Sequence, residues 1–329
     1  MNDIKATVFI PTYNGEKYLD DILKIIFKQK VDFKYDVMIV DSGSKDRTLS
    51  IIEKYKQKHD NLQLIQIPNT EFGHGKTRNY AATIAKGEIM VYLSHDAVPA
   101  HKEWLYEIVK PFELSERIVG VVGKQDPRPK CVPLLKYEIR SVFKNLGPDS
   151  ATSIFYKDSF MKNPVFTDSV TFYSDVNSAA RREFLVNTIP YRDVPYAEDQ
   201  LFGRDIIEAG YLKAYAPRAN VVHSNDITLQ EYKHRTFDEI VGLRRIETNL
   251  QMPSLKWIAK TVVISSLKDA YRTVRDGQYS LKRKIFWLLV NPFYHIAKWR
   301  GFRMALKLDL DDHLIFSKHS LEARRNRKY

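Results

Sequence analysis

The chain has 329 residues, 44% of them hydrophobic, and a net charge of +12. This is enough apolar material for one large α/β domain with an appendage, or for two ordinary domains. A single cysteine, Cys131, excludes a disulfide framework and a cysteine-built metal site, and indicates a reducing compartment. The N-terminus lacks a secretory signal pattern and no apolar run approaches about 18 residues, so we expect no membrane-spanning helix.

Strands and helices alternate over the first third of the chain. Apolar runs predict four strands, and the positions between them predict helices, the clearest being 16–29 with its apolar stripe at spacings of three and four. Such βαβ units give parallel strands. The predicted strands are Lys5–Pro11, Tyr35–Val40, Leu62–Ile67 and Ile89–Leu93.

Two of these strands end in a carboxylate. Asp41 follows the second strand and Asp96 follows the fourth, in the run Ser94-His95-Asp96. In a parallel sheet both side chains lie at the carboxyl edge, where ligands bind in open α/β folds. A carboxylate there can hold Mg²⁺ or Mn²⁺ against a diphosphate. Capping a turn or a following helix is the alternative role for either residue.

A glycine-containing loop follows the third strand. Gly73 and Gly75 allow a close backbone approach to a ligand, the helix behind them favours an anion, and Arg78 supplies a bidentate donor. The spacing matches neither the Walker loop nor the dinucleotide fingerprint. A tight turn is the alternative role for both glycines.

The second half of the chain supplies further candidate site residues. Residues 127–167 predict long ordered loops with one helix at 134–145, and a strand then leads into Asn177 and Arg181. Asp199 opens a helix that ends near Gly210, where it either suits the helix dipole or acts as a general base. A last strand, 215–223, delivers His223 at its end, and a long helix is predicted over 228–250.

Seven of these segments, in this order, resemble the family 2 glycosyltransferases of the GT-A fold, and more closely their bacterial rhamnosyltransferase-like branch. The resemblance covers roughly residues 6–250. The matching segments are Phe9–Asn14, Val40–Asp46, Gly73–Asn79, Ser94–Asp96, Asn177–Arg182, Glu198-Asp199 and Val221–Asn225. The resemblance implies an α/β GT-A fold, with a Rossmann-like and mostly parallel central sheet between flanking helices, and a C-terminal basic helical extension.

The resemblance also implies roles for individual residues. Asp199 would be the catalytic base, and Asp96 and His223 would hold Mn²⁺ or Mg²⁺. Ser94 stands where the family's metal motif has its first acid, which leaves Asp96 as the only carboxylate of that motif. The residues implied to bind the sugar nucleotide are Thr12, Tyr13, Asn14, Asp41, Gly75, Arg78, Ser94, His95, Asn177 and Arg181.

The implied reaction is inverting transfer of a sugar, L-rhamnose from dTDP-L-rhamnose, onto a polyprenyl-linked bacterial polysaccharide precursor at the cytoplasmic face of the cell membrane. A catalytically idle sugar-nucleotide-binding scaffold is the alternative that Ser94 permits. A nicotinamide oxidoreductase is excluded because the glycine fingerprint is missing.

The C-terminal tail carries most of the positive charge. Residues 254–307 contain twelve Lys or Arg and two acids, a local charge of +10 that leaves only +2 for the other residues. The basic residues flank apolar segments with Trp257, Trp287 and Trp299, and Asn291-Pro292 is expected to break the second segment. This pattern favours helices on an anionic membrane surface over nucleic-acid binding, since no nucleic-acid-reading motif is present. Packing on the preceding domain is the alternative.

These patterns predict two domains. Residues 1–250 would form the glycosyltransferase domain, with a nucleotide-binding half at 1–126 and an acceptor and catalytic-base half at 127–250. Residues 251–329 would form the basic tail.

Overall fold

The computed structural model describes residues 3–158, 168–194, 196–225, 227–246 and 250–326. Contacts divide the chain into two compact units. The first comprises Met1–Asp126 with Arg140–His223, and the second comprises Pro127–Ile139 with Ser224–Tyr329.

One mixed sheet forms the centre of the first unit. Strands β1, β2, β3, β4, β6 and β9 run in one direction, and β5, β7 and β8 run in the other. The order is β3-β2-β1-β4-β8-β6-β9-β5, with β7 also on β9. The bounds are β1 Ile4–Thr12, β2 Lys34–Asp41, β3 Leu62–Gln66, β4 Ile89–Leu93, β5 Val98–Pro99, β6 Ile118–Asp126, β7 Ser153–Phe155, β8 Asn177–Arg181 and β9 Leu212–Val222. The predicted α/β class with a mostly parallel sheet is confirmed.

Helices flank this sheet. In α1 the apolar stripe Leu19, Ile22, Leu23 and Ile26 is fully buried, as its spacing predicts. These side chains join Val8, Ile10 and Val91 of the strands in the main core. The bounds are α1 Glu16–Ile26, α2 Thr48–Lys56, α3 His74–Ile84, α4 Trp104–Val109, α5 Pro133–Leu146, α6 Asp168–Thr171, α7 Arg182–Asn187 and α8 Glu198–Glu208.

The region 127–167 contains more regular structure than the sequence predicts. Besides α5, it contributes β7, which pairs with β9 in antiparallel fashion. A three-residue strand carries too little periodicity to be recognised from sequence. Residues 159–167 of this region lie outside the described residues.

Within the described chain the second unit contains the first half of α5 together with α9 Leu229–Ile246, α10 Leu255–Arg275, α11 Leu281–Lys307, α12 His313–His319 and α13 Leu321–Asn326. Two apolar clusters support them. One is built around Trp287, Tyr294 and Tyr279, and the other around Phe237, Val241 and Ala305. Residues 247–249 of the predicted helix 228–250 lie outside the described residues.

Helices α9 and α11 lie unusually close together at Gly301. A Cβ at this position would lie 2.3 Å from the carbonyl oxygen of Lys233 and 3.0 Å from Cβ of Thr236. Only glycine therefore permits this crossing. Because α9 packs on α11, the C-terminal part of the second unit begins at Ser224, whereas the sequence-based division places the boundary at 250.

Helix α11 runs through Pro292, so the expected break at Asn291-Pro292 is wrong. A proline removes one N–H from the helical ladder, and tertiary contacts here compensate for it. The buried Asn291 accepts a hydrogen bond from the backbone N–H of Leu134 at 3.0 Å and donates to Asp269 at 3.2 Å. His295, one turn further on, lies 2.9 Å from the same Asp269 oxygen.

The tail helices bury polar as well as apolar side chains. Within α10 the buried positions are Ile258, Asp269 and Thr273, while Leu255 and Val274 are exposed. Trp287, predicted for an interface, is buried in a core. No helix in the described chain is both long and apolar enough to cross a bilayer.

Candidate active site

Strand β4 and strand β9 deliver an acidic residue and a histidine to the same point. After Leu93 the chain turns through Ser94–Ala97, closed by a hydrogen bond from Ala97 N to Ser94 O, and then forms β5. Strand β5 pairs antiparallel with the last residues of β9. Asp96 therefore meets His223, the residue that follows β9, with Oδ2 3.4 Å from Nε2.

The carboxylate of Asp96 is held in its charged form. Its Oδ1 accepts a hydrogen bond from Ser94 Oγ at 2.7 Å. Burial alone would raise the pKa of Asp96, but the hydrogen bond and charge of His223, together with His95 and Ser94, hold that pKa well below its ordinary value. Ser94 thus supports the carboxylate of Asp96.

The other ring nitrogen of His223 is fixed by Gln125. His223 Nδ1 lies 3.0 Å from Gln125 Oε1, while Gln125 Nε2 donates to Ser174 Oγ at 3.1 Å. Because a carbonyl oxygen only accepts, Nδ1 carries a proton, and Nε2 faces the carboxylate of Asp96, through a second proton when the ring is charged and through its lone pair when the ring is neutral. Two electron-pair donors facing one another at this distance require a proton or a cation between them.

This donor set suits a divalent cation with few protein ligands. One imidazole nitrogen and one carboxylate oxygen converge, and the histidine has the outer hydrogen bond that metal-binding histidines use. No group of three or more His, Cys, Asp or Glu able to hold a metal occurs in the part of the chain that the structure describes. Mg²⁺ and Mn²⁺ tolerate such a sparse protein contribution because substrate phosphates and water complete the shell.

A buried charge cluster surrounds the predicted base. Arg78, on α3, binds Asp175 through Nε at 2.8 Å and Glu198 through a terminal nitrogen at 2.5 Å. Asp199 follows Glu198 in the first turn of α8, where its Oδ2 accepts from Asp175 N at 3.2 Å and its Oδ1 from Gln200 N at 2.8 Å. Two carboxylates thus bind the guanidinium directly, and the charge of a third, Asp199, also acts on it.

One arginine cannot neutralise three acids. Burial, followed by the negative charges of Glu198 and Asp175, raises the pKa of the Asp199 carboxyl above its ordinary value, although Arg78 opposes this. A half-buried carboxyl whose proton affinity is raised toward neutral pH is suited to accepting a proton from a hydroxyl group. The same arginine forms ion pairs with Asp175 and Glu198, so in this structure it is a structural partner of the acids.

The three residues 174–176 connect the two halves of the site. Val176 O accepts the backbone N–H of Ser94 at 3.2 Å, next to the Asp96 turn. Asp175 N donates to Asp199, and the first residue of the segment holds the glutamine that orients the histidine. The predicted base and the predicted metal ligands are therefore anchored to consecutive residues of one segment.

The predicted nucleotide-binding residues form the neighbouring part of this edge. Asp41 is fully buried and accepts from Thr12 Oγ1 at 3.0 Å and from the backbone N–H groups of Gly43 and Ser44 at 3.0 and 2.9 Å. These bonds make it the anchor of the turn, which is the alternative role weighed for it. Tyr13 beside it is half-buried.

Asn14 and His95 complete the edge near the end of β1. Asn14 adopts a positive φ of 50°, and its Oδ1 accepts from Lys45 N at 2.8 Å. His95 Nδ1 lies 3.3 Å from Pro11 O, and its ring packs against Gly15, where a Cβ would lie 3.2 Å away. Together they join the turn after β1 to the loops after β2 and β4.

Arg181 is not brought to this edge. Because β8 runs antiparallel to β4, Asn177 lies opposite Leu93 at the site end, while Arg181 lies opposite Ile89 at the other end. Its guanidinium donates to the carbonyls of Ile118 and Phe112 at 2.9 and 2.8 Å. The sequence pattern places both residues in one segment but does not reveal the strand direction.

The groups that contact Asn177 and Gly75 belong to the protein itself. Asn177 is fully buried, donates to Lys124 O and Ala219 O, and accepts from Trp104 Nε1 at 3.0 Å. At Gly75, a Cβ would lie 2.3 Å from the carbonyl oxygen of Arg192. The close approach predicted for this glycine exists, but the neighbouring group is the chain's own backbone.

Sequence reasoning missed two site residues, Gln125 and Asp175. Gln125 closes β6, a strand that ends at the same edge, so its place at a strand terminus was an available signal. Asp175 precedes β8 without any motif, and its contacts with Arg78 and Asp199 come from distant parts of the chain.

Comparison with known proteins agrees with this geometry. The model of the family "Glycosyl transferase family 2" matches residues 7–187. The O-antigen chain rhamnosyltransferase RfbN of Salmonella typhimurium is 26% identical over 309 residues, covering 92% of this chain and 89% of that protein. The poly(ribitol-phosphate) β-N-acetylglucosaminyltransferase TarS of Staphylococcus aureus is 26% identical, covering 93% of this chain and 47% of its own length.

A solved structure supports the same fold. The mannosyltransferase PcManGT from Pyrobaculum calidifontis, in complex with GDP-Man and Mn²⁺, superimposes with a TM-score of 0.58 at 20% identity, covering 92% of this chain and 87% of that one. The matched segment 7–187 contains β1 to β8, including Asp41, Asp96 and Asp175. The chain belongs to glycosyl transferase family 2.

Proposed function

We propose that this glycosyltransferase is a metal-dependent, inverting rhamnosyltransferase. Its donor is dTDP-L-rhamnose and its acceptor is a polyprenyl-linked precursor of a bacterial surface polysaccharide. The observation that carries the proposal is the attachment of Asp199 and of the Asp96–His223 pair to the single segment 174–176. One segment thereby supports both a proton acceptor and a site for a cation and diphosphate.

Asp199 acts as the general base in this scheme. Its carboxylate takes the proton of the acceptor hydroxyl as that oxygen forms a bond to the anomeric carbon. The bond between this carbon and the diphosphate oxygen breaks, and its electron pair leaves with the nucleoside diphosphate. Attack from the face opposite the leaving group inverts the configuration, so a β-L-rhamnosyl donor gives an α-L-rhamnoside. The raised pKa of Asp199 supports this role.

Asp96 and His223 are the residues that would hold Mn²⁺ or Mg²⁺. A divalent cation supplies positive charge to the departing diphosphate. Ser94 and Gln125 keep the two ligands in position, through Oδ1 of Asp96 and Nδ1 of His223 respectively. Arg78 acts on the other side, where it holds Glu198 and Asp175 and so sets the environment of the base.

The names of two relatives support the proposed donor sugar and the proposed acceptor. RfbN and WbaN, both described as O-antigen chain rhamnosyltransferases, match 92% and 91% of this chain at 26% and 27% identity. An O-antigen acceptor is a cell-surface glycan, and transfer to its lipid-linked precursor would occur at the inner face of the membrane. TarS, which is described as an N-acetylglucosaminyltransferase, makes UDP-N-acetylglucosamine the donor to test against it.

A donor screen tests the proposal. The full chain is heated with Mn²⁺ and each of dTDP-L-rhamnose, UDP-N-acetylglucosamine, UDP-glucose and GDP-mannose, since a ligand that binds only the folded state raises Tm. Donor turnover is then measured for the wild type and for Asp199→Asn. We expect dTDP-L-rhamnose to give the largest shift and metal-dependent turnover that the variant lacks. Turnover of another donor overturns the rhamnosyl assignment, and absence of turnover with every donor favours the idle scaffold.

A further inference from the structure

The tip of the α10–α11 hairpin exposes large apolar side chains on both helices. On α10, Leu267, Tyr271 and Val274 follow one another at spacings of four and three, which places them on one face. On α11, Leu281, Ile285 and Leu289 repeat every four residues. All six side chains are exposed, with Leu281 at 75%, Leu289 at 68% and Leu267 at 66%.

These residues do not belong to the interior of the second unit. Helix α10 turns Asp269 and Thr273 inward, and α11 turns Trp287 and Asn291 inward. The exposed apolar stripes occupy the other sides of both helices. Single exposed leucines are ordinary, but a cluster of this kind on two adjacent helices marks an interaction site.

The charges around the apolar tip all have one sign at the surface. Six basic residues lie between positions 267 and 289: Lys268, Arg272, Arg275, Lys282, Arg283 and Lys284. The same stretch has two acids, and both are occupied. Asp269 is buried against His295 at 2.9 Å, and Asp276 pairs with the fully buried Lys136 at 2.7 Å.

The loop of the hairpin is firmly held, so the tip is a preformed surface. Lys136 Nζ binds Asp276, donates to Pro129 O at 2.9 Å and lies 4.1 Å from the ring centroid of Tyr279. Tyr279 donates through its hydroxyl to Cys131 O at 2.7 Å. Because the connection is anchored on both sides, the apolar stripes keep their orientation without a partner.

We propose that the hairpin tip, residues 267–289, docks the protein on an anionic lipid bilayer. The apolar side chains of both helices enter the boundary between headgroups and acyl chains, and the surrounding lysines and arginines contact lipid phosphates. The apolar centre complements the acyl chains, and the cationic residues around it complement the lipid phosphates. A second copy of the chain would bring the same six positive charges together, so self-association is disfavoured there.

Vesicle flotation of the full chain tests this proposal without using the sugar-transfer reaction. Wild-type protein is floated with vesicles of phosphatidylcholine alone and with vesicles that contain phosphatidylglycerol, at low and high salt. We expect flotation only with the anionic vesicles, and weaker flotation at high salt because the lipid charges are screened. The double variant Leu267→Gln with Leu289→Gln should bind about tenfold or more weakly, because less apolar surface is buried.

Two matched controls accompany it. Leu314→Gln changes a leucine that is 85% exposed on α12, away from the tip. The charge variant Lys282→Glu with Arg283→Glu is compared with Lys56→Glu and Lys58→Glu, which make the same charge change on exposed residues of the first unit. All these positions are exposed, so Tm should stay at the wild-type value. Only the tip variants should lose flotation.

The proposal is wrong if wild-type protein fails to float, or if the control variants lose flotation as much as the tip variants. Sedimentation equilibrium then measures whether the protein is a monomer or a dimer. Should the wild type be a dimer that the leucine variants convert to monomer, with flotation unchanged, the surface serves a second copy of the chain and the membrane assignment fails.

Discussion

Nε2 of His223 lies 3.4 Å from Oδ2 of Asp96, and Gln125 accepts from the other ring nitrogen of the same histidine. This relationship makes the glutamine a positioning residue for any cation held at the pair. It also gives the metal half of the site a test that does not depend on turnover.

Gln125→Ala should weaken Mn²⁺ binding. Without the acceptor at Nδ1 the imidazole is free to change its tautomer and orientation, and losses of such outer partners cost about 10–100-fold in metal affinity. Free Mn²⁺ measured by electron paramagnetic resonance in the presence of a nucleoside diphosphate gives the affinity directly. Gln66→Ala, on the exposed end of β3, serves as the control. Equal affinities for wild type and Gln125→Ala would contradict the role.

Asp199→Asn should abolish transfer without harming the fold. Loss of a general base lowers kcat by about 10²–10⁴-fold, while KM for the donor changes little. Since the pKa of Asp199 is raised in the folded state, its ionisation costs folding free energy as pH rises above the ordinary value of about 4. The Asn variant should therefore melt no lower than the wild type at pH 7.5.

The matched control for this variant is Asp205→Asn. Asp205 lies on the same helix, α8, but its carboxylate pairs with the exposed Arg192 at 2.6 Å. It should keep wild-type kcat. If both variants retained activity, Asp199 would not be the base.

The dependence of kcat on pH should reflect the charge cluster around Asp199. The reaction needs the deprotonated carboxylate of Asp199, so kcat should rise with pH through its raised pKa, well above the range of an ordinary aspartate. Glu198→Gln keeps an oxygen that accepts from Arg78 but removes one of the negative charges that raise this pKa. The acid limb of kcat should then move to lower pH. An unmoved limb would show that another group controls it.

Arg181→Ala separates a structural role from donor binding. Removing the guanidinium leaves the carbonyls of Phe112 and Ile118 without their donors, which should lower the free energy of unfolding by about 1–3 kcal/mol. KM for the donor should stay unchanged, because this residue lies at the end of β8 far from Leu93. Urea unfolding and initial-rate kinetics measure the two quantities. Arg47→Ala, at an exposed ion pair with Glu16, should change neither.

The sequence predicts the sheet edge well because strand ends carry local signals. Asp41, Asp96 and His223 each follow an apolar run, and parallel connections bring the first two together. The pairing of His223 with Asp96 needs β5, a strand of two residues, and that lies below what periodicity detects.

Predictions failed where the outcome depended on direction or on distant partners. Arg181 shares a segment with Asn177, but the antiparallel course of β8 separates their ends. The sequence suggested that Arg78 binds a phosphate, but its guanidinium forms ion pairs with Asp175 and Glu198. In α10 the buried face includes the polar Asp269, which His295 and Asn291 of the next helix contact, so apolar spacing alone does not reveal that this position is buried.

The segment 174–176 has a consequence for how substrate preference changes in this enzyme. Neighbouring peptide units have fixed lengths, so covalent geometry sets the separation of the points that anchor the proposed base and the proposed metal ligands. Exchanging the surrounding loops can therefore alter which sugar or hydroxyl is accepted while these anchor points keep their spacing. An insertion or deletion within these three residues would displace the proposed base relative to the proposed metal ligands.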